Sequence, residues 1–202
     1  MMSKPERFVM ALVFGSVVPI GLFEAGWWIS VLVFHADTIW AGALTGLVLG
    51  ILIDLLFLRK WLANVYVIPY VITILVYLFY MIGLLGFFMG FPVFNIFAGI
   101  MAGAYQGRKM FHFKAGTEEA EYRINKTCWL TMIGMAATCI GTTLVAFKDV
   151  EDTAGNLEGM FGLSFEVTPL MILAITVIGG LILIISQFWL TKKAAMIAYR
   201  LK

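Results

Sequence analysis

One carboxylate lies in an otherwise apolar stretch near the start of the chain, Glu24 in VPIGLFEAGWW (Val18 to Trp28). A carboxylate in hydrocarbon is costly, and such residues usually face a bundle interior or a water-filled path. Pro19 and Gly21 lie about one turn earlier, where a proline can break the helix, as in transporter sites near mid-membrane. Glu24 is therefore predicted to contact a solute or exchange a proton. The alternative is that it reaches water at the outer interface.

Other polar and aromatic side chains fall at the same predicted depth, in the outer half of the spans described below. Residues from several helices at one depth are expected for a cavity with aromatic walls and a few directional polar groups. Together with Glu24, the predicted solute contacts are Trp27, Trp28, Tyr77, Tyr80, Asn95, Thr138, Thr142 and Thr176. The two tyrosines belong to a stripe at helical spacing, for which cavity lining and helix packing stay equally open: Tyr66, Tyr70, Thr73, Tyr77 and Tyr80.

The chain contains few residues suited to catalysis. Its only histidines are His35 and His112, and it has no zinc-type His/Cys spacing, nucleotide-binding loop or nucleophile elbow. Cys128 and Cys139 lie roughly 16 Å apart on one predicted helix, at about 1.5 Å per residue, too far to pair with each other. We therefore expect no enzyme activity, cofactor or metal site. A net charge of +2, with the basic residues spread out, also predicts no nucleic-acid partner.

The composition indicates a chain surrounded by lipid. Of its 202 residues, 62% are hydrophobic and 13% are charged, against about 25% charged residues in a soluble domain. One crossing needs roughly 20 apolar residues, and charged and turn residues divide the chain into six such pieces. The predicted fold is therefore all-α, a single six-helix membrane domain with spans at 8–34, 39–58, 65–83, 91–105, 127–147 and 169–190. The turn between the third and fourth spans is placed in GLLGFFMGFP, Gly83 to Pro92.

Basic residues predict the orientation, because lysine and arginine in short loops are retained on the cytoplasmic side. With six crossings, all but one of the 14 basic residues fall on one side, and Lys148 alone lies opposite. Both termini and segment 106–126 are therefore predicted to be cytoplasmic, in a multi-pass protein of the cell (inner) membrane. The outer face, including the loop 148–168, collects Asp37, Asp149, Glu151, Asp152, Glu158 and Glu166. A solvated loop is the favoured interpretation of these acids, and a cation-attracting vestibule is the alternative.

Small residues at helical spacing predict close contacts between helices. They are Ala11 and Gly15 in the first span, Gly42, Gly46 and Gly50 in the second, and Gly134 and Gly141 in the fifth. Asp54 continues the four-residue spacing of Gly42, Gly46 and Gly50. It is interpreted as a structural residue, because the basic residues Arg59 and Lys60 are near enough to pair with it. Thr117 is predicted to be the N-cap of a cytoplasmic extension of the fifth helix, with a Glu119–Arg123 pair.

The layout resembles the substrate-binding S components of energy-coupling factor importers. The resemblance rests on six predicted spans, cytoplasmic termini, ALVFG (Ala11 to Gly15) and GALTGLVLGILIDLL in the second span. The first helix of that family docks a membrane coupling partner through an alanine-xxx-alanine motif, whose second position is Gly15 here. The resemblance implies capture of a small-molecule solute from outside, with coupling and ATPase subunits as partners.

Two other functions stay open. One is a self-contained proton-coupled carrier or channel that uses Glu24. The other is a non-transport assembly subunit, in which the glycine faces bind other helices or a second copy of the chain.

The topology is testable with single cysteines and a membrane-impermeant label. Lys114→Cys and Lys192→Cys are expected to react only from the cytoplasm, and Asp152→Cys only from outside. Any one reversal would contradict six crossings with cytoplasmic termini.

Overall fold

The computed structural model describes residues 2–33, 39–88 and 90–201. The chain is 87% helix, and no strand occurs in the described ranges, which confirms the all-α class. The helices are α1 (Lys4–Gly15), α2 (Val17–Val33), α3 (Ile39–Ala63), α4 (Tyr70–Phe87), α5 (Asn95–His112), α6 (Thr117–Lys148), α7 (Val150–Phe161), α8 (Pro169–Ala174) and α9 (Gly180–Arg200). A 3₁₀ turn (Pro92–Phe94) precedes α5, and a π-helical turn (Ile175–Gly179) joins α8 to α9.

Five helical segments in the described ranges are long and apolar enough to cross a membrane. They are Lys4–Val33, Ile39–Ala63, Tyr70–Phe87, Thr117–Lys148 and Pro169–Arg200. Their apolarity indicates a membrane location. The predicted fourth span corresponds to the 3₁₀ turn and α5, which is not among the five. Many residues of α5 are glycines or polar residues buried against its neighbours, so this helix does not need an apolar surface all round.

The predicted third span begins later than expected. Helix α4 starts at Tyr70, directly after Pro69, and residues 64–68 form a turn. Tyr66 therefore lies outside the helix, where it is buried and its hydroxyl donates to Glu6 Oε1 at 2.6 Å. The tyrosine stripe is shorter than predicted, because the residues around a proline do not continue the helical spacing.

The predicted acidic loop contains helix α7. The Asp149 side chain caps its N-terminus by accepting a hydrogen bond from the Asp152 backbone N–H at 3.0 Å. Glu151 and Asp152 lie in the first turn, where the positive end of the helix dipole stabilises negative charge. Gly162, with φ 60°, ends the helix in the left-handed conformation that glycine adopts without strain. Asp37 and Phe34 lie outside the described residues.

The helical extension predicted before the fifth span is part of α6. Its N-cap is Gly116 and not the predicted Thr117, so the helix begins at Thr117, one residue earlier than predicted. The Arg123 Nε and Glu119 Oε1 atoms are 3.0 Å apart, as the i,i+4 spacing predicted.

The chain divides into two compact units, Met1–Val76 and Tyr77–Lys202, with the boundary inside α4. In the first unit, α2 and α3 form an antiparallel pair in which backbones touch. A Cβ atom added at Gly46 would overlap the Leu22 carbonyl oxygen, and one added at Gly50 would overlap the Pro19 Cα. Gly42 likewise lies against Gly26 and Ser30. Glycine is required here because only a missing side chain allows this approach.

In the second unit, three glycines of α5 lie against α9. Gly99, Gly103 and Gly107 face Gln187, Thr191 and Ala195 in the same order along both helices, so α5 and α9 are parallel. Helix α6 is antiparallel to α9, because Thr131 meets Thr191 whereas Cys139 lies near Gly180. The α5 glycines were not among the predicted packing residues, although their four-residue spacing in GIMAGAYQG is the same as that of Gly42, Gly46 and Gly50 on α3.

A pair of alanine substitutions tests whether these contacts hold the helices together. In Gly46→Ala the new Cβ meets the backbone of α2, so we expect the free energy of unfolding to fall by about 1–3 kcal/mol. Gly141→Ala is the control, because Gly141 is exposed with open space at the Cβ position. It is expected to keep or raise stability by up to about 1 kcal/mol through helix propensity. Thermal unfolding in detergent measures both, and equal melting temperatures would contradict the contact.

Candidate functional site

The nine predicted solute contacts are divided between the two units. Glu24, Trp27 and Trp28 belong to the first unit. The other six belong to the second: Tyr77, Tyr80, Asn95, Thr138, Thr142 and Thr176. The contacts within each unit establish which of these side chains have polar groups available for a solute.

Glu24 is exposed on the face of α2 that points away from α3. Helix α2 meets α3 through Leu22 and Gly26, and Glu24 is two residues from each, a rotation of about 200°. Its neighbours Trp27 and Trp28 are 44% and 63% exposed. The role of all three in solute binding stays a prediction.

The helix break predicted beside Glu24 lies earlier, at Ser16 between α1 and α2. Pro19 has no N–H, so the Gly15 carbonyl loses its donor four residues ahead, and the disruption appears before the proline. The Ser16 hydroxyl donates to the Leu12 carbonyl at 2.7 Å at this point. Helix α2 is regular through Glu24, about two turns away.

The two tyrosines of the prediction come together in one cluster of the second unit. Tyr77 is buried, its hydroxyl donates to the Thr131 carbonyl at 3.2 Å, and its ring lies against Gly134. Tyr80 packs on the cluster that Tyr77 forms with Met81 and Ala98. Tyr77 therefore links α4 to α6, and its hydroxyl proton is already donated within the protein.

The predicted threonine contacts use their hydroxyl protons within their own helices. Thr138 donates to the Gly134 carbonyl at 2.9 Å, and Thr142 donates to the Thr138 carbonyl at 3.1 Å. Thr176 donates to the Ile172 carbonyl at 3.0 Å. This back-bonding satisfies a threonine without any partner from another helix or a ligand.

Two amide side chains are buried without hydrogen-bond partners. Asn95 and Gln187 are both 0% exposed, and within residues 2–33, 39–88 and 90–201 neither the amide nitrogen nor the amide oxygen of either has a partner. One turn from Gln187, the hydroxyls of Thr191 and Thr131 are 3.1 Å apart and form a buried hydrogen bond. Asn95 was among the predicted contacts and Gln187 was not, although Gln187 is a polar residue near the end of the last predicted span, 169–190.

A pocket of about 460 Å³ lies in the second unit, at the end where α4 finishes and α5 begins. Its volume falls in the range of small-molecule sites, about 300–1,000 Å³. Its walls are apolar and mostly aromatic: Phe87, Phe88, Phe91, Val93, Phe94, Met160 and Phe161. The rings of Phe88 and Phe94 stack with centroids 3.6 Å apart, and those of Phe91 and Phe161 meet edge to face at 6.0 Å.

Turn residues position the aromatic rings of this pocket. Helix α4 ends at Phe87, Gly90 takes a positive φ of 83°, and Pro92 begins the 3₁₀ turn that carries Phe94. On the opposite wall, Gly162 ends α7 directly after Phe161. The glycines and proline of this segment were predicted to form a turn, and no role was predicted for its phenylalanines.

The helix that supplies the second wall carries an acidic segment. Asp149, Glu151, Asp152, Glu158 and Glu166 lie between residues 149 and 166, with Lys148 as the nearest basic residue in the chain. Glu158 Oε1 accepts from the Val167 backbone N–H at 2.6 Å, which fixes this carboxylate and ties the following segment back to α7. No ion pair joins these acids to a lysine or arginine among the residues that the structure describes.

The described residues contain no group of three His, Cys, Asp or Glu side chains that could hold a metal ion. Cys128 and Cys139 are both buried free thiols.

No family model, curated protein or solved structure matches this chain.

A pair of substitutions on α9 separates the satisfied polar residue from the unsatisfied one. Gln187→Met keeps the side-chain length and removes two buried polar atoms without partners, a burden of about 1–3 kcal/mol. It is expected to keep or raise the melting temperature in detergent. Thr191→Val removes the bond to Thr131 and is expected to lower stability by about 0.6 kcal/mol. A larger loss of stability in Gln187→Met than in Thr191→Val would show that the Gln187 amide has a hydrogen-bond partner in the purified protein.

Proposed function

We propose that this chain is a multi-pass protein of the cell membrane that binds a small solute and helps to transport it. It crosses six times, with both termini in the cytoplasm, and the solute enters from outside. The observation that carries the proposal is the aromatic pocket of about 460 Å³ at one end of the second unit. Its volume and its aromatic walls are those of small-molecule sites, and it is open on one side, with Phe87 81% and Phe161 57% exposed.

The helix directions support the six-crossing topology. Six crossings make the fourth and sixth spans run the same way and the fifth run opposite. Helices α5 and α9 are parallel, and α6 is antiparallel to α9. The antiparallel pairing of α2 with α3 likewise agrees with a first and a second span joined by a short connection.

In this topology the pocket opens on the outer side. The turn between α4 and α5 and the whole of α7 belong to outer segments, whereas thirteen basic residues lie on the inner side. Asn95 follows the pocket residue Phe94 in the chain, and its buried amide lacks a partner among the described residues. The amide is 0% exposed and does not line the pocket, so it would have to become accessible to contact the solute. Glu24 stays a candidate for a polar contact in the first unit.

The energy for transport is proposed to come from partner subunits, as in the energy-coupling factor importers that the sequence resembles. The chain has no nucleotide-binding loop of its own. Of the two small residues that resemble the docking motif, Ala11 is partly exposed, whereas Gly15 is buried against Asp54 and Leu58 of α3. Ala11 is therefore the position of this pair at which a partner helix could approach.

Native mass spectrometry of the gently purified protein tests solute binding. The parent is expected to carry a small molecule that Phe161→Ala has lost, because Phe161 forms one wall of the pocket. Phe165→Ala is the matched control, since Phe165 is similarly exposed, at 54% against 57%, and does not line the pocket. Equal retention in Phe161→Ala and the parent would contradict binding in this pocket.

Uptake into liposomes distinguishes a subunit from a complete carrier. The purified chain alone is expected to bind solute without accumulating it. Uptake by the chain alone, lost in Glu24→Gln, would replace the proposed partner-dependent importer with the self-contained carrier.

A further inference from the structure

The rings that line the pocket are suited to a positively charged guest. Five of the seven lining residues are phenylalanines: Phe87, Phe88, Phe91, Phe94 and Phe161. Aromatic rings carry negative charge on their faces, and a cation within about 6 Å of a ring centroid is attracted to it. Phe88 and Phe94 cover each other's facing sides, so a cation would meet their outer faces or the faces of the other three rings. A cation that contacts more than one ring face gains this attraction, which a neutral molecule of the same shape does not.

The charges near the pocket favour the same sign of guest. Glu158 precedes Phe161 by three residues, a rise of about 4.5 Å along α7, and its carboxylate is fixed by the Val167 N–H. Residues three apart lie on the same face of a helix, so Glu158 and Phe161 share one face of α7. Glu166 follows five residues after Phe161, and Glu151 and Asp152 lie in the first turn of the same helix.

No basic residue lies in the segments that form the pocket. Between Lys60 and Arg108 the chain has neither lysine nor arginine, and between Lys126 and Lys192 it has only Lys148. An anionic solute would therefore meet carboxylates and ring faces without a compensating cation. A wholly neutral solute would gain nothing from the acidic segment.

We propose that the pocket selects an organic cation with an apolar body, of the quaternary ammonium class. The apolar part fills the space between the rings, and the charged group lies toward the acidic segment of α7. This inference rests on the proposed function, because it names the class of solute that the same pocket binds. It gives the acids of segment 149–166 a role in attracting that solute, since clefts lined by one sign of charge concentrate ions of the opposite sign.

Two probes of the same shape test the inference. Benzyltrimethylammonium and neopentylbenzene differ only in that a carbon atom replaces the charged nitrogen. Their binding is measured by equilibrium dialysis against the full chain in nanodiscs, with empty nanodiscs as the reference for partition into lipid. We expect the cation to bind at least about tenfold more tightly, with an affinity that falls as salt is raised.

Variants test whether the aromatic rings and the acidic residues cause the preference for the cationic probe. Phe161→Leu keeps an apolar wall and removes a ring face, so it is expected to reduce the preference for the cation. Phe165→Leu is expected to leave it unchanged, because Phe165 does not line the pocket. Glu151→Gln combined with Glu166→Gln is expected to weaken binding of the cation at low salt and to leave the neutral probe unaffected. Melting temperatures verify that every variant is folded.

The remaining outcomes separate the two proposals. Equal or tighter binding of neopentylbenzene that depends on Phe161 would overturn the cation preference and leave solute binding in the pocket intact. Binding of neither probe above the empty nanodiscs would overturn the cation preference. Solute binding itself would fall with it only if Phe161→Ala and the parent also retained small molecules equally in the native mass spectrum. Binding of the cation that Phe161→Leu does not change would place it outside this pocket and overturn the inference.

Discussion

Close contact between helix backbones is the interaction on which this chain depends. Helices in hydrocarbon gain little by excluding water from one another, so van der Waals contact must hold them together. Two rows of glycine provide it, one where Gly46 meets Leu22 and one where Gly103 meets Thr191. The second row also brings the backbone of α5 close enough to α9 to enclose Gln187, and so determines which polar groups lose contact with solvent.

The fold could be predicted to the extent that it depends on local patterns. Apolar length predicted helices at nearly every predicted span, because backbone groups in lipid must bond within their own segment. Boundaries were less accurate where a single residue decides them. Pro69 delays the start of α4, and Asp149 and Gly162 delimit a helix inside a segment predicted as a loop. The fourth predicted span differs most from the prediction, because α5 is not apolar enough to be counted as a membrane-spanning helix. Much of its surface is covered by the protein's own helices.

The candidate site was harder to predict, because spacing assigns a residue to a face without saying what its polar atom bonds. Thr138 and Thr142 fall on the expected part of α6, but the nearest acceptor for each hydroxyl is a carbonyl of the same helix. The aromatic pocket joins residues near Phe91 to Phe161, which are far apart in the chain. No periodic pattern connects them, since only the folded second unit brings α7 to the end of α4.

The π-helical turn Ile175–Gly179 divides the last apolar segment into two surfaces that share one axis. Such a turn holds an additional residue, so side chains before and after it differ in phase by roughly 100°. A single helical wheel drawn through Pro169–Arg200 therefore misassigns one of the two halves. If this turn took ordinary α-helical geometry while α9 kept its contact with α5, α8, which follows the acidic segment, would be rotated about its own axis.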